Sequence, residues 1–259
     1  MIRIPDPQAI AAIIREAALA EILPRFRNLQ AHQIREKRPG DLVTEADVEA
    51  ERVLTRRLTD LLPGSVVIGE EACAHDPTVL DRLDRDEPAW IIDPVDGTSN
   101  FAHGRPTFGT IVALASRQRT LAGWIHDPIA DVTAIALAGE GAWIGERRLV
   151  AAQGVPLREM AGSLGYRKNK DLAASVGRLV RHGSVAHDYL ALAEGRIHFA
   201  FYRRLNPWDH AAGVLMHAEA GGYAALLDGT PYRPLFSPVG VLLAPNRNDW
   251  DMLRGRLEE

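Results

Sequence analysis

An α+β half followed by an α/β half is the fold class predicted by this chain of 259 residues. Three observations predict it. An amphipathic stretch over residues 7–26 carries Ile10, Ile13, Ile14, Ala17, Ala18 and Leu23 at helical spacing, which predicts helical cover for the first half. Between residues 108 and 150, short apolar runs alternate with turn signals, the pattern of an antiparallel sheet made of hairpins. After about residue 152 strands and helices alternate, which predicts helices on a mixed sheet. The two halves are placed at residues 1–151 and 152–259.

Composition narrows the partners. At 46% hydrophobic and 25% charged, the chain is that of a globular protein rather than a disordered one. A formal net charge of −4, with no basic stripe, argues against a nucleic-acid polymer and for small-molecule chemistry. The one cysteine, Cys73, excludes an intrachain disulfide and a Cys-built zinc site and fits a reducing compartment. Residues 1–6 lack the apolar core of a signal peptide, and no apolar run approaches a membrane span. The expectation is a cytoplasmic protein with no membrane partner.

In chain order, Asp6 is placed to cap the first helix. Residues 34–43 read as two short strands around an Arg38-Pro39-Gly40 turn. Thr44 and Asp47 form a capping box for a second helix, which Pro63-Gly64 stops. Val66-Val67-Ile68 is a strand delivering Gly69-Glu70-Glu71, and a polar loop over residues 75–87 leads to the strand Trp90-Ile91-Ile92. That strand is expected to end at Asp93-Pro94, because proline has no donor for the ladder. Asp96-Gly97 is then a turn, and Thr98-Ser99-Asn100 offers caps for a helix beginning near Phe101. Strands follow over 108–115, 121–125 and 132–137, with a last hairpin over 142–150. The second half reads as a strand near Leu164, helices over 172–180 and 187–194, a strand over 197–202, a helix over 207–220, strands over 223–227 and 239–243, and a helix from Asn248.

Glu70 and Asp93 therefore leave what read as neighbouring strands from the same edge. Convergent carboxylates repel unless a cation neutralises them, and oxygen donors suit Mg²⁺, Mn²⁺ or Ca²⁺. Taken one at a time, the same residues also read as an Asp-rich turn, a solvated glutamate pair and, at Asp47, a simple helix cap. The sequence lacks the Gly-x-Ser-x-Gly elbow, His-Glu-x-x-His, a phosphate loop and a calcium-binding twelve-residue loop, which removes serine hydrolases, zinc hydrolases, nucleotide kinases and calcium-binding structural proteins.

Three separated segments, Gly69-Glu70-Glu71, Asp93-Pro94-Val95-Asp96-Gly97-Thr98 and Trp208-Asp209-His210-Ala211-Ala212-Gly213, resemble in order and spacing the inositol monophosphatase family of Mg²⁺-dependent, lithium-sensitive phosphatases. The resemblance implies a layered αβαβα sandwich and a homodimer acting on a small phosphorylated metabolite with two to three Mg²⁺ per site. It implies Glu70, Asp93 and the carbonyl of Val95 for one metal, and Asp93, Asp96 and Asp209 for a second. Asp47 stands at the edge of a third, the amides of Gly97 and Thr98 hold the phosphate, Glu70 and Thr98 orient and deprotonate water, and Glu71 fixes the geometry from behind. Charge counting agrees. Glu70, Asp93, Asp96 and Asp209 carry four negatives that two Mg²⁺ only neutralise, so a phosphate needs a third cation or a helix start.

The segment Asp41 to Asp47 matches the family, which often has a Lys five residues before Asp41; here that residue is Glu36, and whether Lys37 substitutes is open. For substrate, the resemblance assigns Gly183, Ser184 and Asp209, and places Tyr202 where inositol phosphatases have a glutamate. With Arg203 and Arg204 following, the expected preference moves towards a ligand with a second negative group, either a sugar bisphosphate or a nucleoside 3′,5′-bisphosphate, unless both arginines point to solvent. Fructose-1,6-bisphosphatase, 3′(2′),5′-bisphosphate nucleotidase and histidinol-phosphatase activities are the alternatives within the fold. A metal-binding regulatory protein is the alternative outside catalysis.

Overall fold

The computed structural model describes residues 3–165 and 169–258. Asp6 caps the first helix, α1 (Pro7–Ala17), by accepting from the Gln8 amide at 2.9 Å. The helical path continues through a wide turn (Ala18–Ile22) and a tight one (Leu23–Arg25), because Pro24 has no amide to continue the regular ladder. An isolated hairpin, β1 (Ile34–Arg38) and β2 (Asp41–Thr44), leads through the expected capping box into α2 (Glu45–Leu61).

A seven-stranded sheet follows. It comprises β3 (Val66–Gly69), then after α3 (Glu70–His75) β4 (Ala89–Asp96), and after α4 (Thr98–Ala102) β5 (Gly109–Ser116), β6 (Arg119–Asp127), β7 (Val132–Leu137), β8 (Gly141–Ile144) and β9 (Arg147–Arg148). Its β3 and β4 are parallel and every later neighbour is antiparallel. The second sheet contains β10 (Ala161–Ser163), β11 (Arg178–Val180) after α5 (Lys170–Ser175), β12 (Phe199–Tyr202) after α6 (Val185–Ala193), and, after α7 (Pro207–Glu219), β13 (Tyr223–Leu226) and β14 (Val241–Ala244). It is mixed, with β10 parallel to β11 and β12, and β14 antiparallel to β12 and β13. The last helix is α8 (Arg247–Glu258). Among the described residues no helix is long and apolar enough to cross a membrane.

Side-chain alternation turns these elements into five layers. Trp90, Ile92, Val112, Leu114 and Trp124 face Ile10, Ile13 and Ile14 of α1 and Leu54 and Leu58 of α2. Ile91, Ile111, Ala113 and Ile125 face the opposite way, onto Tyr189 and Ala191 of α6 and Ala211 and Ala212 of α7. The far side of that helix pair meets Ala200, Val241 and Leu243 of the second sheet. Phe199, Phe201, Leu242 and Ala244 alternate outward to Leu172 of α5 and Trp250 and Leu253 of α8. The order is helices, sheet, helices, sheet, helices, as expected for an αβαβα sandwich. Covered on both faces, β4 and β5 are buried along their whole length.

Four local expectations are corrected. Pro94 does not end β4. A register shift against β5 between Asp93 and Asp96 takes the missing donor out of the ladder, and the Pro94 carbonyl accepts from Thr110 Oγ1 at 2.9 Å. The helix expected near Phe101 starts at Thr98. The polar loop over 75–87 is largely a 3₁₀ helix (Pro77–Asp84). The helix expected over 172–180 stops at Ser175, where the β-branched Val176 and then Gly177 release the chain into the edge strand β11, and the Gly177 amide donates to Met160 O at 2.9 Å.

Trp124 is fully buried between sheet and helices, and its Nε1 donates to Pro7 O at 3.0 Å, tying α1 to the sheet. Trp124→Ala should cost about 3–5 kcal/mol, the range for removing a buried large aromatic. Urea unfolding checks this, and an unchanged midpoint would contradict the packing described.

Candidate active site

Because β3 and β4 are parallel, with Gly69 beside Ile92, Glu70 just past the end of β3 and Asp93 within β4 line one cavity. Glu51, in the middle of α2, reaches across to accept from the amides of Glu71 (2.8 Å) and Ala72 (2.9 Å). This buried carboxylate satisfies the start of α3, and a Cβ on Gly69 would lie 2.2 Å from Glu51 Cδ, so a larger residue there would push Glu51 off the two amides. Burial pushes the Glu51 carboxyl up to about 7, against the pull of the two amides. Sequence reasoning missed Glu51, since a glutamate in a charged helix gives no signal of what lies opposite.

Lys37 settles the question left by Glu36. The register of β1 against β2 slips between Glu36 and Arg38, so Lys37 turns inward, and its Nζ lies 2.7 Å from Glu70 Oε1 and 2.9 Å from Glu71 Oε1. Burial alone would lower the Lys37 pKa; the two glutamates raise it. Glu36 instead accepts from the Gly40 amide at the hairpin turn.

Asp47 is both cap and site residue. Its Oδ2 accepts from the Thr44 amide at 2.9 Å and from Thr44 Oγ1, while its Oδ1 lies 3.0 Å from Thr98 Oγ1. The Thr98 hydroxyl is also 2.9 Å from the carbonyl of Val95. Gly97, at φ +84°, makes the left-handed turn that starts α4 beneath these groups. Asp96 accepts at Oδ2 from the Ala186 amide (2.8 Å) and from Ser184 Oγ, so the N-terminus of α6 faces it. Asp209, in the first turn of α7, accepts from Asn206 Nδ2 at 3.0 Å.

Asp93 differs from these, because its buried Oδ1 has no hydrogen-bond donor among the described residues. Burial first, and then the charges of Glu70, Asp96, Asp209 and Asp47, hold its pKa well above the usual carboxylate range. Asp209 is raised likewise by burial and then by Glu70 and Asp96, with Asn206 and Arg204 opposing. Asp96 is pushed up to about 6 and Asp47 to about 7, burial being the largest cause in both. Each carboxylate except Asp93 is drawn to its own protein donor, and as they stand no three converge on one point among the described residues. The donor set of carboxylate and carbonyl oxygens, with a buried oxygen lacking a partner, fits a hard divalent cation.

The cavity of about 790 Å³ is also lined by the residues assigned to substrate: Gly183, Ser184, Tyr202, Arg203 and Asp209, together with Arg204. Arg203 and Arg204 are exposed on its wall. Tyr202 is buried, and its hydroxyl donates to Asp188 Oδ2 at 2.7 Å. Behind the wall, His210 Nε2 lies 3.0 Å from the Arg204 carbonyl and Nδ1 2.9 Å from Tyr189 Oη. A carbonyl only accepts, so Nε2 carries the proton and Tyr189 donates to Nδ1. Burial lowers His210 to about 4, so the ring is neutral.

A family model described as the inositol monophosphatase family matches residues 7–258. An inositol-1-monophosphatase of Mesorhizobium japonicum is 33% identical over 216 residues, 79% of each chain. A fructose-1,6-bisphosphatase/inositol-1-monophosphatase of Thermotoga maritima is 32% identical over 202 residues, 75% of each chain. Among solved structures, the extragenic suppressor protein suhB of Bartonella henselae superposes with a TM-score of 0.80 at 27% identity, covering 97% of this chain and 99% of that one.

In the folded metal-free chain these carboxyls keep their protons to about pH 6–7, against 3.8 for a free Asp and 4.5 for a free Glu. A raised folded pKa contributes stability below the unfolded value that is lost as pH rises through the folded one. In chelator, Tm should therefore fall between about pH 4 and pH 8. A divalent cation binds carboxylates in their deprotonated form, so added Mg²⁺ should raise Tm by more at pH 8 than at pH 5. Calorimetric scans showing a pH-independent Mg²⁺ effect would contradict the cluster as described.

Proposed function

The chain belongs to the inositol monophosphatase family, a phosphatase family that is generally metal-dependent, and on that premise we propose a Mg²⁺-dependent hydrolysis of a small phosphate monoester by direct attack of water. The observation that carries the metal requirement is Asp93, buried with an unpartnered oxygen among four other carboxylates.

In this reading Glu70, Asp93, the Val95 carbonyl, Asp96 and Asp209 hold two to three Mg²⁺, which Mn²⁺ can replace, with Asp47 at the edge of the cluster. When bound, the cations supply an acidified water and positive charge around the phosphoryl oxygens. The amides of Gly97 and Thr98 bind the phosphate. Glu70 and the Thr98 hydroxyl orient the water and take its proton, and Asp47, within hydrogen-bond reach of Thr98 Oγ1, holds that hydroxyl in place. Glu71 shares Lys37 with Glu70 and so fixes the Glu70 side chain. Water attacks phosphorus itself, so no phosphorylated side chain is formed. Residues 1–151 carry most of this machinery and residues 152–259 bring Asp209 and the substrate wall.

The wall sets the substrate. Arg203 and Arg204 line the cavity, and guanidinium groups pair with phosphate or carboxylate, which favours a leaving group bearing a second anion. A sugar bisphosphate or nucleoside 3′,5′-bisphosphate is the preferred class and inositol 1-phosphate a secondary one. The double name of the Thermotoga maritima relative supports this range. We further infer a homodimer, from the family alone, and a cytoplasmic location, from the single cysteine and the lack of a signal-peptide-like apolar core in residues 1–6.

Asp96→Ala and Asp209→Ala should abolish phosphate release, and Thr98→Ala should lower kcat about 10²–10⁴-fold, the usual range for proton-transfer groups. Full turnover by either aspartate variant, or in a chelator, would refute the metal reading, and lithium should inhibit. Substrate preference is checked by kcat/KM over inositol 1-phosphate, histidinol phosphate, fructose 1,6-bisphosphate and adenosine 3′,5′-bisphosphate, with Arg203→Ala and Arg204→Ala alongside. Preference for inositol 1-phosphate, with both variants unchanged, would sink the bisphosphate class. Light scattering should give twice the monomer mass of 28.4 kDa, and the monomer mass itself would contradict the dimer.

A further inference from the structure

Beside the acidic cluster on the cavity lining, His182 and Asp188 form a second constellation, with Nδ1 and Oδ1 2.5 Å apart. The Asp188 side chain is 5% exposed, and its Oδ2 also accepts from Ser163 Oγ and Tyr202 Oη, each at 2.7 Å. A buried carboxylate accepting from two hydroxyls takes its third hydrogen bond from an imidazole N–H, so the His182 proton sits on Nδ1. In the neutral ring Nε2 then carries the lone pair. It has no hydrogen-bond partner among the described residues, and the side chain, 28% exposed, lines the cavity.

The backbone beneath His182 is held as firmly as its ring. Asn100 Nδ2 donates to the His182 carbonyl at 2.9 Å and to Thr107 O at 2.7 Å, joining the His182 turn to the segment that follows α4. A Cβ on Gly97 would lie 3.2 Å from Gly183 O, so the His182-Gly183-Ser184 turn abuts the Gly97-Thr98 turn. A phosphate held at Gly97 and Thr98 would direct its ester group towards this wall. Arg203 and Arg204 supply cationic donors there, while the Tyr202 hydroxyl is committed to Asp188.

We infer that His182 is a specificity-determining residue whose Nε2 accepts a hydrogen bond from a hydroxyl of the leaving group, with Tyr202 and Ser163 acting through Asp188 as positioning residues. This deepens the phosphatase reading and rests on it.

The test is the ratio of kcat/KM for inositol 1-phosphate and for fructose 1,6-bisphosphate, both rich in hydroxyls, to that for p-nitrophenyl phosphate, whose leaving group has no aliphatic hydroxyl. His182→Phe should lower both ratios about tenfold, the value of one substrate hydrogen bond. His182→Gln keeps an acceptor and should stay within about threefold of the unsubstituted protein; Tyr202→Phe, which only loosens Asp188, should fall about threefold. A purely structural role would lower all three esters together. Ratios unchanged in folded His182→Phe overturn the inference, as do ratios lost equally in His182→Gln. If His182→Phe does not fold, unchanged ratios in Tyr202→Phe overturn it. An unsubstituted chain that releases no phosphate from any of the three esters overturns the phosphatase reading, and this inference with it.

Discussion

Mutual repulsion among buried carboxylates is the constraint around which this molecule is arranged. Burial disfavours the charge of Asp93, Asp209 and Asp47, and neighbouring charges add to it: those of Glu70 and Asp96 at Asp93 and Asp209, and those of Glu70 and Glu71 at Asp47. Packing could not hold them there without donors aimed at each. Lys37 serves Glu70, Thr44 and Thr98 serve Asp47, the start of α6 and Ser184 serve Asp96, and Asn206 serves Asp209. Asp93 is left with an oxygen that no described residue satisfies. A set so nearly balanced, and short at one atom, is matched to a cation rather than to folding alone.

The layering explains how the donors reach their places. Parallel pairing of β3 and β4 puts two acidic strand ends side by side. The helix pair between the two sheets points the N-termini of α6 and α7 at the same cavity from the other half of the chain. Glu51 crosses from the outer helical layer to cap α3, and Asn100 bridges to the His182 turn. Each contact joins elements far apart in sequence, so the site is a product of the stacking and not of any one segment. The wall around Asp188 follows the same rule, since Tyr202 of β12 and Ser163 of β10 meet Asp188 of α6 because the second sheet packs on that helix.

Much of this was legible in the chain. The amphipathic period of α1, the capping box at Thr44 and Asp47, the hairpins after residue 108 and the alternation after residue 152 are local patterns, and local patterns survive folding when the layers agree with them. The acidic motifs were legible because most of their carboxylates sit at strand ends and helix starts, which turn chemistry marks in sequence. Where local rules failed, a tertiary contact had overridden them. Pro94 stays in β4 because β5 accommodates a bulge, and the helix expected through residue 180 yields to β11 because β10 offers a parallel partner.

The sequence by itself marked oxygen donors that the fold gathers at one cavity, since their order and spacing place them on neighbouring elements. Only the tertiary structure decided what those residues touch. That Lys37 and not Glu36 meets Glu70 depends on a one-residue slip in β1, which flips the side chain to the other face. That Glu51 is a cap, that Tyr202 faces Asp188 and that His182 meets Asp188 through Nδ1 depends on distances between layers. Such distances are set by the packing of apolar faces that sequence periodicity identifies but does not bring into register.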